Sequence, residues 1–418
     1  MLVWILQTGE PLNCDGEDIR PMRAINLSSA LISKNHNVEI ISTKFYHQKK
    51  TFRKNSKSNF FSVYLSETLI GSTGYRSNIG ILRLIDHHIL FFNLLIDLFK
   101  RKKKPDLIFI GYPPIEWSLA GVIYAKIKKI PIVLDVKDLW PDIFWDKENI
   151  STLKKNLLKL IFLPYRIYAS VISTFSDYIT GPTLSIANYF KTKYSSLILK
   201  KLLSIKGPKT FSSPIVPPID KKINFIQIEN KKDPDSNLNI LFLGSLMSIY
   251  DFETVSESLT LLSQKGINYN LYIGGKGGSE KRIKRLFKKN HNVVFLGWIN
   301  RDEAIEISKK CHLAIAPYQN ILNFKLNLVN KYIDYMSLGL PILSPLEGHV
   351  NQLIEKHDIG WNYQANNAKD LAQKISNIYL SKESIKFKSI NAYMLFKNKF
   401  NYKLVYNELV KNLEIIAK

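Results

Sequence analysis

The sequence predicts an α/β chain built of two Rossmann-like domains, and three observations carry that prediction. Its 418 residues are too many for one ordinary core, while a hydrophobic content of 45% is that of a globular protein. Short β-branched runs alternate with stretches of helical period in both halves, the pattern of parallel sheets joined by crossover helices. Between the halves, residues 212–235 supply prolines and charge without periodicity, which marks a connector.

In the first half the periods predict strands over 2–7, 38–43, 107–110, 132–135 and 178–180, with helices over 20–34, 115–126, 162–173 and 184–190. In the second half they predict strands over 239–243, 270–273, 293–295, 313–316 and 341–344, and helices over 251–265, 280–288, 301–310, 331–337 and 350–356. Residues 368–416 read as helical and lysine-rich. The resulting division is a domain over 1–215, a linker over 216–237, a domain over 238–385, and closing helices over 386–418 that pack back toward the first domain. Open parallel sheets bind ligands at the carboxyl ends of their strands, so the expected site lies in a cleft faced by both domains.

Lysine plus arginine number 59 against 35 aspartate plus glutamate, a formal charge of +24. Such a field attracts nucleic acid, anionic lipid or a phosphorylated substrate, and charge alone does not choose among them. Lysines interleaved with asparagine and isoleucine are also what a codon bias toward A and T produces. Cys14 and Cys311 stand far apart without a CxxC companion, so neither a disulfide framework nor a zinc site follows and a reducing compartment is expected. The opening MLVWILQTGEPLNCDGE lacks a positive n-region and reads as a buried first strand, so a cytoplasmic location is expected. Residues 79–99 come nearest to a membrane span, but Arg83, Asp86, His87, His88, Asn93 and Asp97 interrupt them. Followed by the basic run 100–104, this segment is either an amphipathic element on an anionic surface or a core-facing helix with a solvated end.

Five segments carry chemistry. In GEPLNCDGEDIRPMRAINLSSAL, residues 9–31, a strand passes into a loop at Gly16, Glu17 and Asp18 and then into a helix capped near Asp18 with Pro21 in its first turn. Such a loop can turn backbone N–H groups toward an anion or sugar, or can simply join sheet to helix. In PIVLDVKDLWPDIFW, residues 131–145, a buried strand delivers Asp135, Lys137, Asp138, Trp140, Asp142 and Trp145 at its carboxyl end. Carboxylates accept sugar hydroxyls and aromatic faces pack on sugar rings; otherwise Asp138 caps a turn and Trp140 fills core.

In LFLGSLMSIYDFETV, residues 241–255, a strand brings Gly244, Ser245 and Leu246 to a loop before a helix capped at Asp251, a layout suited to a diphosphate. NLYIGGKGGSEKRI, residues 270–283, sets Gly274, Gly275, Gly277 and Gly278 around Lys276, without the GxxxxGK[ST] spacing of a triphosphatase loop. In NLVNKYIDYMSLGLPILSP, residues 327–345, Asn330 and Lys331 open a helix and Asp334 shares the face of Lys331. A lysine there offsets charge on a departing phosphate, although the pair is also what a surface salt bridge looks like.

Together these segments resemble the retaining glycosyltransferases of family 4 with the two-domain GT-B fold, over nearly the whole chain. Within that family they are similar to the bacterial WbuB-like N-acetylfucosamine transferases, through DGEDIRPMRAINLSSAL, through STKFYHQKKTFR at 42–53, and through DLWP, here Asp138 to Pro141. The helix start NKxx[ED]YxxxGxP is present as Asn330, Lys331, Asp334, Tyr335, Gly339 and Pro341. The resemblance implies a hexosyl- or N-acetylhexosaminyl-type transferase whose C-terminal half binds a nucleotide diphosphate sugar and whose N-terminal half holds a lipid-linked saccharide acceptor. It implies that Gly244, Ser245 and Leu246 approach the diphosphate, Lys331 its oxygens and Asp334 the ribose. Gly274, Lys276 and Asn330 complete the expected donor set. Gly16 is expected to approach the donor sugar from the opposite side, and Asp138 with Lys137 to orient sugar or acceptor groups. Asp138, Lys331 and Gly16 are the expected catalytic residues.

The sequence departs from the family at several points. Where many relatives have two glutamates eight residues apart, this chain has Leu326 and Asp334. The arginine and lysine that often follow the first donor-domain strand are missing from GSLMSIYDF, and Pro217 and Pro218 stand before Ile219 and Asp220 where an asparagine-glycine pair is familiar.

The expected reaction retains anomeric configuration by same-face attack assisted by the leaving phosphate oxygen. Lys331 and helix N-termini would stabilise that phosphate without a metal or cofactor. The partners are then a nucleotide diphosphate sugar, UDP-linked by analogy, a lipid-linked surface-polysaccharide precursor of the O-antigen or capsule kind, and an anionic membrane surface. No nucleic acid is expected. A nucleotide-sugar epimerase of the same fold and an inactive polyanion- or membrane-binding scaffold are the alternatives.

Overall fold

The computed structural model describes residues 1–16, 19–53, 64–77, 80–147, 150–217 and 237–418. The chain separates into two compact units, Met1–Pro218 with Tyr402–Lys418, and Ile219–Asn401. Both are Rossmann-like α/β bodies with parallel main sheets, as the alternation of periods predicts.

The first unit runs β1 (Leu2–Leu6), α1 (Arg23–Ile32), β2 (Asn37–Thr43), a short hairpin of β3 (Phe45–Tyr46) and β4 (Thr51–Phe52), β5 (Leu65–Ile70), α2 (Ile81–Lys100), β6 (Leu107–Tyr112), α3 (Ile115–Lys128) and β7 (Ile132–Val136). It continues with α4 (Thr152–Ile161), α5 (Leu163–Phe175), β8 (Tyr178–Gly181), α6 (Leu184–Tyr194), α7 (Leu197–Leu202) and β9 (Lys209–Ser212). Seven strands pair in the order β5-β2-β1-β6-β7-β8-β9, parallel throughout. β6 (LIFIGY) and β7 (IVLDV) are buried along their whole length, as unbroken apolar strands must be when helices cover both faces. Gly121 lets α3 lie close on the sheet, because a Cβ there would stand 2.9 Å from both Ile110 Cδ1 and Leu6 Cδ2.

The second unit runs β10 (Leu238–Leu243), α8 (Phe252–Gln264), β11 (Tyr269–Gly274), α9 (Glu280–Leu286), β12 (Val293–Gly297), α10 (Arg301–Lys310), β13 (Leu313–Ile315) and α11 (Leu322–Lys325). Then come α12 (Asn330–Ser337), β14 (Ile342–Ser344), α13 (His349–His357), β15 (Gly360–Asn362), α14 (Ala368–Leu380) and α15 (Lys382–Lys399). The strand order is β12-β11-β10-β13-β14-β15, all parallel. The order reverses direction between β10 and β13, and in the first unit between β1 and β6. These are the topological switch points beside which open α/β sheets take ligands.

The last helix, α16 (Tyr402–Ile416), belongs to the first unit and packs on α1, where Tyr402 Oη donates to Asn26 O at 2.9 Å. The helical tract expected over 368–416 is thus three helices.

Several boundaries differ from expectation. The helix expected over 20–34 begins at Arg23, after Pro21; the Asp18 cap lies outside the described residues, and Glu10 Oε2 instead accepts the N–H of Ala24 at 2.9 Å. A carboxylate from the preceding loop thereby satisfies the helix opening. The helix expected over 280–288 stops at Leu286 and finishes as a 3-10 turn, Phe287–Lys289. β5, β9 and β15 lie where no strand is expected, and most of the linker 216–237 is outside the described residues.

A buried ion pair ties four segments of the first unit together. Arg23 Nε stands 3.1 Å from Asp135 Oδ2, with both side chains fully buried. Arg23 Nη1 also donates to Ser213 Oγ at 3.0 Å and to Pro214 O at 3.3 Å, and the guanidinium lies 5.7 Å from the ring centre of Tyr406 on α16. Asp135, grouped by sequence with the carboxylates available to a sugar, is instead enclosed by a strand covered on both faces, and an enclosed carboxylate requires a cation. Replacing Arg23 by alanine should destabilise the first unit by about 3–5 kcal/mol, because a buried charge loses its partner. Urea unfolding followed by an optical probe confined to that unit checks this, and a loss under about 1 kcal/mol would mean that Asp135 is readily protonated or hydrated there.

Candidate functional site

Each unit presents a candidate half-site at its own switch point. In the second unit, β10 ends at Leu243 and the chain turns at Gly244, whose φ is +142°. Gly244 N donates to Gly274 O at 2.8 Å, Leu246 N to Lys276 O at 3.0 Å, Ser279 N to Leu246 O at 2.9 Å, and Gly275 N to Gly297 O at 2.5 Å. The loops after β10, β11 and β12 are thus joined backbone to backbone. Glycine is what permits it: a Cβ at Gly275 would lie 2.0 Å from Gly244 O, and one at Gly277 would lie 2.3 Å from Leu246 O.

Lys331, in the first turn of α12, donates from Nζ to the carbonyl of Leu243. Its ammonium lies 4.9 Å from the ring centre of Phe242 and 5.5 Å from that of Tyr250, a cation bedded on two aromatic faces. A Cβ on Gly244 would fall 1.3 Å from that ammonium, so the two residues occupy one site. One helical turn on, Tyr335 Oη accepts the N–H of Leu243 at 3.0 Å, and α12 thereby grips both polar groups at the end of β10.

The structure thus brings Gly244, Leu246, Gly274, Lys276 and Lys331 together. Gly274 is buried and serves through its carbonyl, whereas Ser245 and the side chain of Lys276 are exposed. Asn330 and Asp334 are half-buried on α12, and the Asp334 carbonyl accepts Ser337 Oγ at 2.7 Å. Sequence reasoning missed the aromatic bed of Phe242 and Tyr250 and the role of Tyr335. The apolar-aromatic character of LFLGSLMSIY was the signal available for them.

In the first unit a pocket of about 280 Å³ opens at the carboxyl ends of β1, β6 and β7, lined among others by Gln7, Glu10, Arg83, His87, Asp138 and Trp140. Lys137 also lines it and forms an ion pair with Glu10, the same carboxylate that holds the opening of α1 at Ala24. Behind it, His87 Nδ1 stands 3.4 Å from Glu116 Oε2. Burial pushes the Glu116 carboxyl up, but His87, a backbone hydrogen bond and the charge of His88 together hold it below the usual range.

Of the polar cluster expected over 131–145, Lys137, Asp138 and Trp140 reach this pocket. Asp135 pairs with Arg23 instead. Asp142 is buried and accepts from Tyr194 Oη at 2.6 Å and Tyr189 Oη at 2.9 Å, and Trp145 is core. Gly16 is exposed, with a φ of +118° and no heavy atom within 4 Å of where a Cβ would stand; the turn before it is anchored by Arg53, whose Nε donates to Asp15 Oδ1 at 2.8 Å. Arg83 and His87, on α2, stand in the sequence only as interruptions of an apolar run, because nothing local shows that this helix crosses the end of the sheet.

Residues 237–381 match the family described as glycosyl transferases group 1. No curated protein matches the chain. Among solved structures it is similar to sucrose-phosphate synthase from Thermosynechococcus elongatus, with 13% identity, a TM-score of 0.72, and 99% of this chain and 98% of that chain covered. It is also similar to the Anabaena protein HepE in complex with UDP, at 12% identity and a TM-score of 0.62, with 99% of each chain covered. A third likeness is to WaaG, a glycosyltransferase involved in lipopolysaccharide biosynthesis, at 14% identity and a TM-score of 0.62, with 98% of each chain covered. These likenesses establish the GT-B type of fold, and the match over 237–381 supports a glycosyl transferase.

The glycine requirement is testable without any ligand. Gly275→Ala, at a φ of +141° and against a backbone oxygen, should destabilise the second unit. Left-handed strain alone accounts for about 1–3 kcal/mol of that loss. Gly278→Ala, with no atom near its Cβ position, should change stability by less than about 1 kcal/mol. Equal urea midpoints for the two variants would show that the loops are not closely apposed.

Proposed function

We propose that this chain is a retaining glycosyltransferase that moves a sugar from a UDP-linked donor, an N-acetylated amino sugar or deoxy sugar, to a lipid-linked surface-polysaccharide precursor at the inner face of a bacterial plasma membrane. The observation that carries the reading is the ammonium of Lys331 held against Gly244 at the carboxyl end of β10. It lies inside the segment that matches glycosyl transferases group 1, and a structural neighbour is seen with UDP.

The chemistry follows from charge. Breaking the anomeric C–O bond leaves its electron pair on the diphosphate, and a fixed cation stabilises that developing charge more than it stabilises the bound donor. Lys331 supplies the cation, and the glycines at Gly244, Gly275 and Gly277 let the strand-end loops pack closely enough to hold it there. Asn330 and Asp334, on the same helix, face the remainder of the nucleotide in this reading. The pocket of the first unit takes the acceptor, with Asp138 accepting a sugar hydroxyl and Trp140 offering a ring face. The acceptor hydroxyl attacks the face the diphosphate is leaving, and its proton passes to a departing phosphate oxygen.

A membrane surface fits the first unit. Among the described residues no single helix is long and apolar enough to cross a membrane; α4 and α5 form a pair bent by 64°. α4 buries none of its residues and leaves Leu153 82% and Leu160 67% exposed, with Leu157 and Ile161 beside them and Lys154, Lys155 and Lys159 among them. An apolar stripe bordered by lysines is suited to lie in an anionic interface. The cluster at 101–104 contributes less than its sequence suggests, since Arg101 pairs with Asp97 at 2.7 Å and with Glu39.

Thermal shift with intact UDP-, GDP- and CMP-sugars identifies the donor through its stabilisation of the native state. With that donor, Lys331→Ala should lower the transfer rate about 100-fold, the scale of losing one charge-stabilising donor, while the melting temperature stays near that of the parent. Undiminished transfer would remove Lys331 from the donor site. Separately, co-sedimentation with phosphatidylglycerol vesicles should fall at least tenfold when Leu153, Leu157 and Leu160 become glutamate. An unchanged bound fraction would exclude α4 as the contact.

A further inference from the structure

β1 and β6 run side by side where the strand order of the first sheet reverses, with Leu6 opposite Ile110. One residue further on, at the carboxyl edge, stand Gln7 and Gly111. Gln7 is 2% exposed and lines the pocket of the first unit. Its backbone N–H donates to Ile41 O at 3.0 Å, which ties it to β2, and its Nε2 donates to Thr8 O at 2.7 Å. Only the nitrogen of the carboxamide can face a carbonyl in this way, so Oε1 is turned to the other side. Gly111 makes room for that oxygen: a Cβ there would stand 1.9 Å from Gln7 Oε1 and 2.7 Å from Cδ. Gly111 lies within β6 and outside the left-handed region, so the backbone does not call for a glycine; the carboxamide does.

Oε1 is buried and receives no hydrogen bond among the described residues. A buried amide oxygen left without a donor bears the full cost of its desolvation, which marks it as a group awaiting a partner. Water meets such an oxygen in an open pocket. A saccharide that fills the pocket displaces the water and must bring a donor of its own. Glu10, on the same wall, is already engaged by Lys137 and by Ala24 N, whereas the Gln7 oxygen is held in one orientation and left over. A pinned, neutral acceptor selects a ligand by the position of one hydroxyl and rejects the analogue that lacks it.

We propose that Gln7 is a specificity-determining residue of the first-unit pocket, its Oε1 accepting one hydroxyl of the acceptor sugar, with Gly111 as the space that lets the carboxamide sit there. The proposal rests on the reading of this pocket as the acceptor side and specifies a saccharide whose hydroxyl at the bottom of the pocket is unsubstituted.

Ligand-observed NMR titration of the full chain with the methyl glycosides of glucose, galactose, N-acetylglucosamine and N-acetylgalactosamine tests it, followed by the monodeoxy analogues of whichever binds most tightly. One deoxy analogue should bind at least tenfold more weakly than the full sugar, the scale of leaving a buried acceptor unmet. Gln7→Met, unbranched and of similar length, should weaken the full sugar by the same factor and hold it no better than that analogue, because both changes remove one contact. Gly111→Ala should act alike, since the flexible end of Gln7 gives way to the new methyl before the strand does; it carries the test even if Gln7→Met lowers the melting temperature. Undiminished discrimination in both variants, or equal binding of every deoxy analogue by the unmodified chain, would overturn the role of Gln7. If Trp140→Ala still weakens the glycoside in that event, the acceptor reading stands without it. Binding indifferent to Trp140→Ala and Gln7→Met alike, or no binding by any glycoside, would overturn this proposal and the acceptor reading together, while Lys331→Ala judges the donor side separately.

Discussion

Lys331 donates to the carbonyl of Leu243 at the point where β10 runs out of strand partners, and the surroundings are arranged to accommodate that contact. An ammonium next to the backbone leaves no space for a side chain on Gly244. The bend at Gly244 in turn brings its carbonyl against Gly275, which must also lack a side chain, and the following loop sets Leu246 against Gly277. A parallel sheet makes this natural, since all its strands finish at the same edge and their loops crowd together there. Phe242 and Tyr250 give the cation an aromatic floor. The arrangement fixes a cation at the carboxyl end of the sheet.

The first unit solves a different problem with the same topology. Its inner strand β7 carries a carboxylate, Asp135, into an interior that cannot solvate it, and Arg23 answers from the opening of α1. Glu10 then caps α1 from the loop after β1 and pairs with Lys137, which lines the pocket. The pocket wall is thus linked through one helix opening to the buried pair. Such networks hold polar groups in place at functional sites, where a loosely packed loop would let them wander.

The alternation of apolar runs made both parallel sheets legible, and strand-end glycines pointed to the loops that the second unit brings together. Short edge strands escaped, because β9 has four residues and β15 three, too few to display a period. The aspartates of 131–145 could not be sorted by sequence: Asp135, Asp138 and Asp142 are chemically identical, and their fates depend on partners at Arg23 and at Tyr189 and Tyr194. Arg23 is 112 residues from Asp135, and no local pattern reports such a pairing.

The chain builds most of the first unit, then all of the second, and returns to the first with α16. Tyr406 and its neighbours therefore emerge from the ribosome after every other part of the body they cover. Until then the flank of α1 that carries Arg23 and Asn26 lacks its cover, and the second unit can mature while the first is still waiting. The usual vectorial order, in which amino-terminal bodies finish early, is reversed here.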